Sequence, residues 1–256
     1  MPPANPHSWY GWRPDAPDER DRFYAAIAEP PRRLPARVDL RRWCSPVESQ
    51  GSIGSCTAHA LVGNLEFLAR RTGRPVRHLS RLFVYYNARV LEGTAATDDG
   101  AMLRNGVKTL RKLGVCPERL WPYRVRHFAE QPSADCYAAA ADHQVLSYHR
   151  VRGLQEMRQC LAEGFPFVFG MTTYESFEGP QVARTGRVGL PQRGEPEKGG
   201  HSVCVVGYDD HARRLLIRNS WGADWGRGGY FTLPYDYAAN PRRASDFWTI
   251  RAFENE

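Results

Sequence analysis

The hydrophobic pattern of this chain changes period part-way along, and that change restricts its possible folds more than any other feature. Between residues 56 and 163 apolar side chains recur at helical spacing; from 165 onward they come in short runs punctuated by glycine. Ser55 is placed to cap a helix that begins at Cys56, with Leu61, Leu65 and Leu68 on one face and Gly73 as its stop. A second helix is predicted after Ser80, through Leu82, Tyr85, Tyr86 and Val90, ending near Gly93. A third runs from about Ala101 to Leu113 and a fourth from Leu154 to Glu163, stopped by Gly114 and Gly164. Strands are predicted at Phe165 to Met171, Val203 to Tyr208, Leu215 to Ile217, Tyr230 to Leu233 and Phe247 to Ile250, with Asp209-Asp210 as a turn. Residues 179 to 200 read as a mobile, polar connection. Helices first and antiparallel strands second predict an α+β fold of two lobes, with a helical part at about 45–145 and a strand part at about 146–256.

Residues 1 to 37 form a separate zone. Eight prolines exclude long regular elements there, yet Trp9, Tyr10, Trp12, Phe23 and Tyr24 make it too aromatic for a disordered tail. The segment is expected to dock on its own domain. The first twenty residues contain no continuous apolar core, so no cleavable secretory signal is visible. The chain is therefore expected to be cytoplasmic, or exported without a visible signal. No stretch approaches the ~20 apolar residues that span a bilayer, and a membrane partner is not expected.

With 256 residues, 42% hydrophobic and 25% charged, the chain can bury a sizeable core. Its net charge of +7 comes almost wholly from arginine. The arginines are spread along the chain without a dense basic run, so a solvated basic surface is expected rather than a nucleic-acid partner. Six cysteines occur, at positions 44, 56, 116, 136, 160 and 204. No Cys-x-x-Cys or His-x-x-x-His spacing is present, so neither a metal nor a cofactor is expected. If Cys56 reacts, five remain and cannot all pair within the chain; mostly free, buried thiols are the preferred reading.

Cys56 is the most informative residue. It follows Gly-Ser at a predicted helix N-terminus, where unpaired N–H groups and partial positive charge favour a thiolate. The same N–H groups can hold an oxyanion during acyl transfer. His201 follows Gly199-Gly200 and begins an apolar strand, from which an imidazole can project into a cleft and pair with that thiolate. Asn219 lies in Arg-Asn-Ser-Trp-Gly, where its side-chain oxygen can fix the tautomer and plane of a histidine while Trp221 and Trp225 keep water off the bond. Each alone has a plain alternative: a small buried hydrophobe, a satisfied structural histidine, a turn residue. Their order and spacing distinguish them, with His201 following Cys56 by 145 residues and Asn219 by 163.

Together these motifs resemble the papain family of cysteine peptidases. The resemblance runs over Pro46 to Cys56, Gly200-His201-Ser202-Val203, and Asn219-Ser220-Trp221-Gly222 through Gly229-Tyr230; Leu34 to Leu40 also resembles the start of a mature enzyme. In that family His and Asn follow the nucleophile by about 130–150 residues, so Asn219 falls slightly beyond the usual range. The resemblance implies a helical left lobe, an antiparallel β-barrel right lobe and a cleft between them. It implies that Gln50 and the Cys56 N–H donate to the oxyanion, and that Trp221 covers the Asn–His pair. It also puts Asp99, Gly100 and Gly200 beside the cleft as substrate-binding positions, although a simple acidic loop is the alternative for Asp99 and Gly100. The implied activity is thiol-dependent endopeptidase action on a peptide or protein through a thioester.

Departures are visible. Thr57 stands where the family usually has an aromatic, Ile53 stands at a frequent disulfide cysteine, and only the zone 1–37 precedes the catalytic part, assigned 38–256. This pattern is similar to compact bacterial members. Trp9, Tyr10 and Trp12 are candidates to anchor the leader across the cleft and gate it; packing on the back of the right lobe is the alternative. A transpeptidase or ligase would share the acyl-enzyme, and an inactive papain-like binding module is the third reading.

Overall fold

The computed structural model describes residues 10–28, 33–74 and 78–253. In chain order the regular elements are β1 (Trp12–Arg13), β2 (Arg37–Asp39), α1 (Cys56–Arg71), α2 (Arg81–Glu92), β3 (Ala101–Met102), α3 (Leu103–Lys112), α4 (Ala134–Ala140), β4 (Val145–Arg150), α5 (Gly153–Ala162), β5 (Phe167–Tyr174), α6 (Pro180–Thr185), β6 (Glu197–Asp209), β7 (Arg214–Arg218), β8 (Tyr230–Pro234), α7 (Tyr235–Ala238) and β9 (Ala244–Phe253). No helix among the described residues is long and apolar enough to cross a membrane.

The helical unit is built around α1, which is buried from Cys56 to Ala69 and packs on α2 and α3. Burial on all sides explains why most of its residues are apolar or small. Thr57, His59, Asn64 and Glu66 are its buried polar residues, and of these Glu66 is the acid. It pairs with Arg81 (2.9 Å) and accepts from Ser45 Oγ (2.5 Å) and the Leu79 N–H (3.1 Å), so the buried charge is fully partnered. Ser80 caps α2 by accepting the Phe83 N–H, and Gly93 ends it in the left-handed region at φ 72°. Ser55 does not cap α1; its Oγ instead bonds Tyr123 Oη (2.5 Å).

The sheet unit has the strand order β4-β9-β5-β6-β7-β8, with β2 added on β6 and every pair antiparallel. Residues of β5 and β6 alternate between two cores, as the pleat requires. Val168, Cys204 and Val206 face the core shared with α1, while Phe167, Phe169, Met171, Val203 and Val205 face a second core on the other side of the sheet.

Three further expectations need correction. The sheet is open rather than a closed barrel: no pairing joins β4 to β8, and β4 packs against α3 instead. Ala101 and Met102 were predicted as helix but form β3, because the leader strand β1 pairs with them in parallel. Residues 179 to 200 are not a featureless connection; they hold α6 and the start of β6, with Val182 and Val188 buried. All six cysteines are free, and all but Cys44 are buried.

Candidate active site

Cys56 is the first residue of α1, and α1 packs against β6. With Ser55 engaged elsewhere, the first-turn N–H groups keep their polarity for the sulfur. The Ser202 N–H on β6 donates to Cys56 Sγ at 3.4 Å, bringing the helix end to the residue beside His201. His201 and Asn219 meet because β6 and β7 are neighbours, with Cys204 opposite Arg218. Asn219 lies just past the paired segment, and its Oδ1 is 2.7 Å from His201 Nε2. That bond makes Nε2 the protonated nitrogen and leaves Nδ1, which has no hydrogen-bond partner among the described residues.

Aromatic rings enclose the pair. Trp221 lies 5.1 Å from the His201 ring at an interplanar angle of 34°, and Phe177 lies 6.1 Å from it. Trp225 packs edge-on against Trp221 at 5.2 Å. Gln50 is fully buried and ties the two units together: its N–H donates to the Ser220 carbonyl (2.8 Å), its Oε1 accepts from Ser220 Oγ (2.7 Å), and its Nε2 donates to the Ile53 carbonyl (2.9 Å).

The leader runs directly over this centre. Tyr10 stacks edge-on to His201 and Trp221 at 6.1 and 6.2 Å, and its hydroxyl donates to Glu178 Oε1 at 2.6 Å. Gly11 passes between Gly54 and Gly100. A methyl group on Gly11 would lie 1.8 Å from the Gly54 carbonyl oxygen, and one on Gly100 would lie 1.9 Å from the Gly11 oxygen. Glycine at both positions is what allows this approach. The Trp12 indole then covers Gly170, and its carbonyl crosses Gly200. Trp9, also expected to anchor the leader, lies outside the described residues.

Burial shifts both reactive groups away from their charged forms. It pushes the Cys56 thiol up, against the N–H groups of Ser202, Gly11 and Thr57, which favour the thiolate. It pulls His201 down to about 4, with Asn219 acting in the opposite sense. Both shifts run against a thiolate–imidazolium pair while the two groups are buried.

Of the positions singled out in the sequence, Cys56, His201, Asn219, Gln50, Trp221, Gly100 and Gly200 gather here. Asp99 does not; it is exposed and accepts from Thr97 Oγ1 within its own loop (2.5 Å). Asp98 serves the loop instead, its carboxylate accepting the Gly54 N–H (3.0 Å) and the Tyr85 hydroxyl. Phe177, Glu178, Gly170 and Ser202 were not found by sequence reading. Phe177 and Glu178 sit in a short 3-10 turn after β5, and Ser202 acts through its backbone, so no side-chain motif announces them. Among the described residues no cluster of His, Cys, Asp or Glu is arranged to hold a metal ion.

A sulfur at a helix end, bonded to the strand that also carries an asparagine-held imidazole, lies where a helical unit meets an antiparallel sheet unit, and the chain is a cysteine-type peptidase by its family. The chain belongs to the papain family of cysteine proteases, matching it over residues 34–245. It is 41% identical to xylellain, a cysteine protease from Xylella fastidiosa, whose crystal structure superposes with a TM-score of 0.87 over 96% of this chain and 97% of that one. An uncharacterized peptidase C1-like protein of Acanthamoeba polyphaga mimivirus is 39% identical over 212 residues, covering 79% of this chain and 68% of its own length. Cathepsin K of Gallus gallus is 30% identical over 213 residues, and the match spans 59% of its length.

Proposed function

We propose that this cysteine peptidase is a thiol-dependent endopeptidase in which Cys56 is the nucleophile, His201 the base and acid, and Asn219 the residue that orients the histidine. The observation that carries the reading is the 2.7 Å contact between His201 Nε2 and Asn219 Oδ1. It leaves Nδ1 for proton exchange, and the neighbouring Ser202 N–H donates to the Cys56 sulfur. In the proposed reaction Nδ1 takes the thiol proton and Sγ attacks the scissile carbonyl. The oxyanion is held by the Cys56 N–H and the Gln50 amide, which its bonds to Ser220 and Ile53 keep oriented. The imidazolium then protonates the leaving amine, and the thioester is released by water activated by the same nitrogen.

The leader gates this chemistry in our reading. Tyr10, Gly11 and Trp12 occupy the space over Cys56 and His201, so a peptide substrate enters only after they leave. Release would readmit water and remove the desolvation that holds both groups neutral, allowing the thiolate–imidazolium pair to form.

A cleavage profile over a peptide library, run on the full chain beside Cys56→Ala and Trp12→Gly, tests both parts. Cleavage by the wild type that survives in Cys56→Ala would refute the nucleophile. Equal turnover by the wild type and a folded Trp12→Gly variant would refute gating while leaving the catalytic assignment intact.

A further inference from the structure

We propose that a recess at the outer corner of the sheet unit binds a compact polyanion bearing two or three adjoining phosphate groups. The recess measures about 750 Å³ and lies where β2, β7 and β8 meet the end of α6 and the loop before β8. It is lined by neither Cys56, His201 nor Asn219, so it is separate from the peptidase centre.

Its charge is unbalanced. The two acids in its wall are already paired, Asp209 with Arg37 (3.8 Å) and Asp39 with Arg41 (2.6 Å). Four further arginines, Arg184, Arg187, Arg214 and Arg227, line the same recess, and none has a carboxylate within ion-pair distance among the described residues. Arg214 is held in place rather than solvated. Its Nε donates to Thr232 Oγ1 (2.9 Å) and its Nη2 to the carbonyls of Thr232 (2.7 Å) and Val188, and its Nη1 has no hydrogen bond among the described residues. Burial and the neighbouring Arg187 charge pull Arg214 down to about 10, as expected where cations crowd each other without an anion.

The backbone that presents these groups is also fixed. Gly186 takes φ 62° and lies so close to β8 that a methyl group there would be 2.5 Å from the Tyr230 carbonyl oxygen. The Thr232 N–H donates to Gly186 (2.7 Å), the Val188 N–H to Thr232 (3.1 Å), and the Gly226 N–H to Ala183 (2.6 Å). These bonds bring Arg184 and Arg187 beside Arg227 before any ligand arrives.

Several guanidinium forks converging on one concavity suit the many oxygens of linked phosphates, whereas a lone carboxylate would engage a single fork. The concave, bounded shape favours a short polyanion over a nucleic-acid strand, which needs an extended basic track.

The test is titration calorimetry on the full chain at constant ionic strength with orthophosphate, pyrophosphate and tripolyphosphate. One saturable site is expected, with affinity rising along that series. The double variant Arg187→Ala/Arg227→Ala, which removes two exposed heads and keeps the wild-type melting temperature, should weaken tripolyphosphate binding by about tenfold or more. The control Arg124→Ala/Arg126→Ala, outside the recess, should leave it unchanged. Non-saturable heats, equal affinity for the three ions, or equal losses in both double variants would mean an adventitious ion only and would overturn the proposal.

Discussion

Asn219 contributes one acceptor to the site, and truncating it removes that acceptor without touching the sulfur. Asn219→Ala should therefore retain Cys56 and lower kcat by about 10² to 10⁴, the range that general acid–base assistance supplies, with a much smaller change in KM. Steady-state kinetics against one fluorogenic peptide checks this; a loss confined to KM would contradict an orienting role. Gly170 offers a different lever. A methyl group there would lie 1.8 Å from Cε2 of Trp12, so Gly170→Ala must move the indole that covers it. In the full-length chain that variant should speed alkylation of Cys56 by a small thiol reagent. The pH dependence has a definite sign, because burial holds the thiol high. Alkylation of the covered wild type should fall steeply as pH drops, and the variant should retain more of its rate at neutral pH.

Among the elements, the leader is held chiefly by ionic contacts beyond β1. Arg150 on β4 bonds Asp15 (2.9 Å) and Asp21 (2.6 Å) of the leader and Asp246 of β9 (3.2 Å). Arg104 on α3 bonds Asp21 (2.6 Å), and Trp248 Nε1 donates to Asp15 (2.9 Å). The segment is thus clamped where the helical and sheet units meet. Removing Arg150 leaves three carboxylates facing one guanidinium, and such unpairing typically costs about 3–5 kcal/mol. Arg150→Ala should hasten proteolytic nicking within residues 13–28 well before the sheet unit is cut. Limited proteolysis followed by mass spectrometry would show this, and an unchanged nicking rate would mean that the aromatic contacts of Tyr10 and Trp12 suffice.

At the scale of the whole molecule, buried histidines tie stability to pH. Burial pulls His201 down to about 4 and His59 well below its ordinary value. In the unfolded chain both titrate near 6.5, so the native state binds fewer protons below that pH. The stability they allow is complete above about 6.5 and is lost as pH falls toward about 4. Asp15, pushed up to about 6 by burial and by Asp246, and Glu118, pushed up by burial, act in the opposite sense, while burial pulls His149 down in the same sense as the other two histidines. The melting temperature should therefore decline through this window, and less steeply in His59→Gln; parallel profiles would show that His59 is not a source of the decline.

The sequence by itself determined a good deal, because some physical requirements are local. A 3.6-residue period, a glycine at φ 72° after α2, and β-branched residues before Gly207 specify helices, stops and strands wherever they occur. The ordered motifs around Cys56, His201 and Asn219 could be read because their chemistry demands fixed residue types. Other features depend on distant partners, and only the tertiary structure decided them. Ala101 and Met102 became a strand because the leader lies beside them. The sheet stayed open because β4 found α3 instead of β8. The arginines that look dispersed between positions 184 and 227 converge on one recess because β7, β8 and two glycine-bent loops fold together. The same holds for the leader: its prolines and aromatics marked a segment that docks, while the place it occupies, over Cys56 and His201, was set by the gap between Gly54 and Gly100 that admits Gly11 and little else.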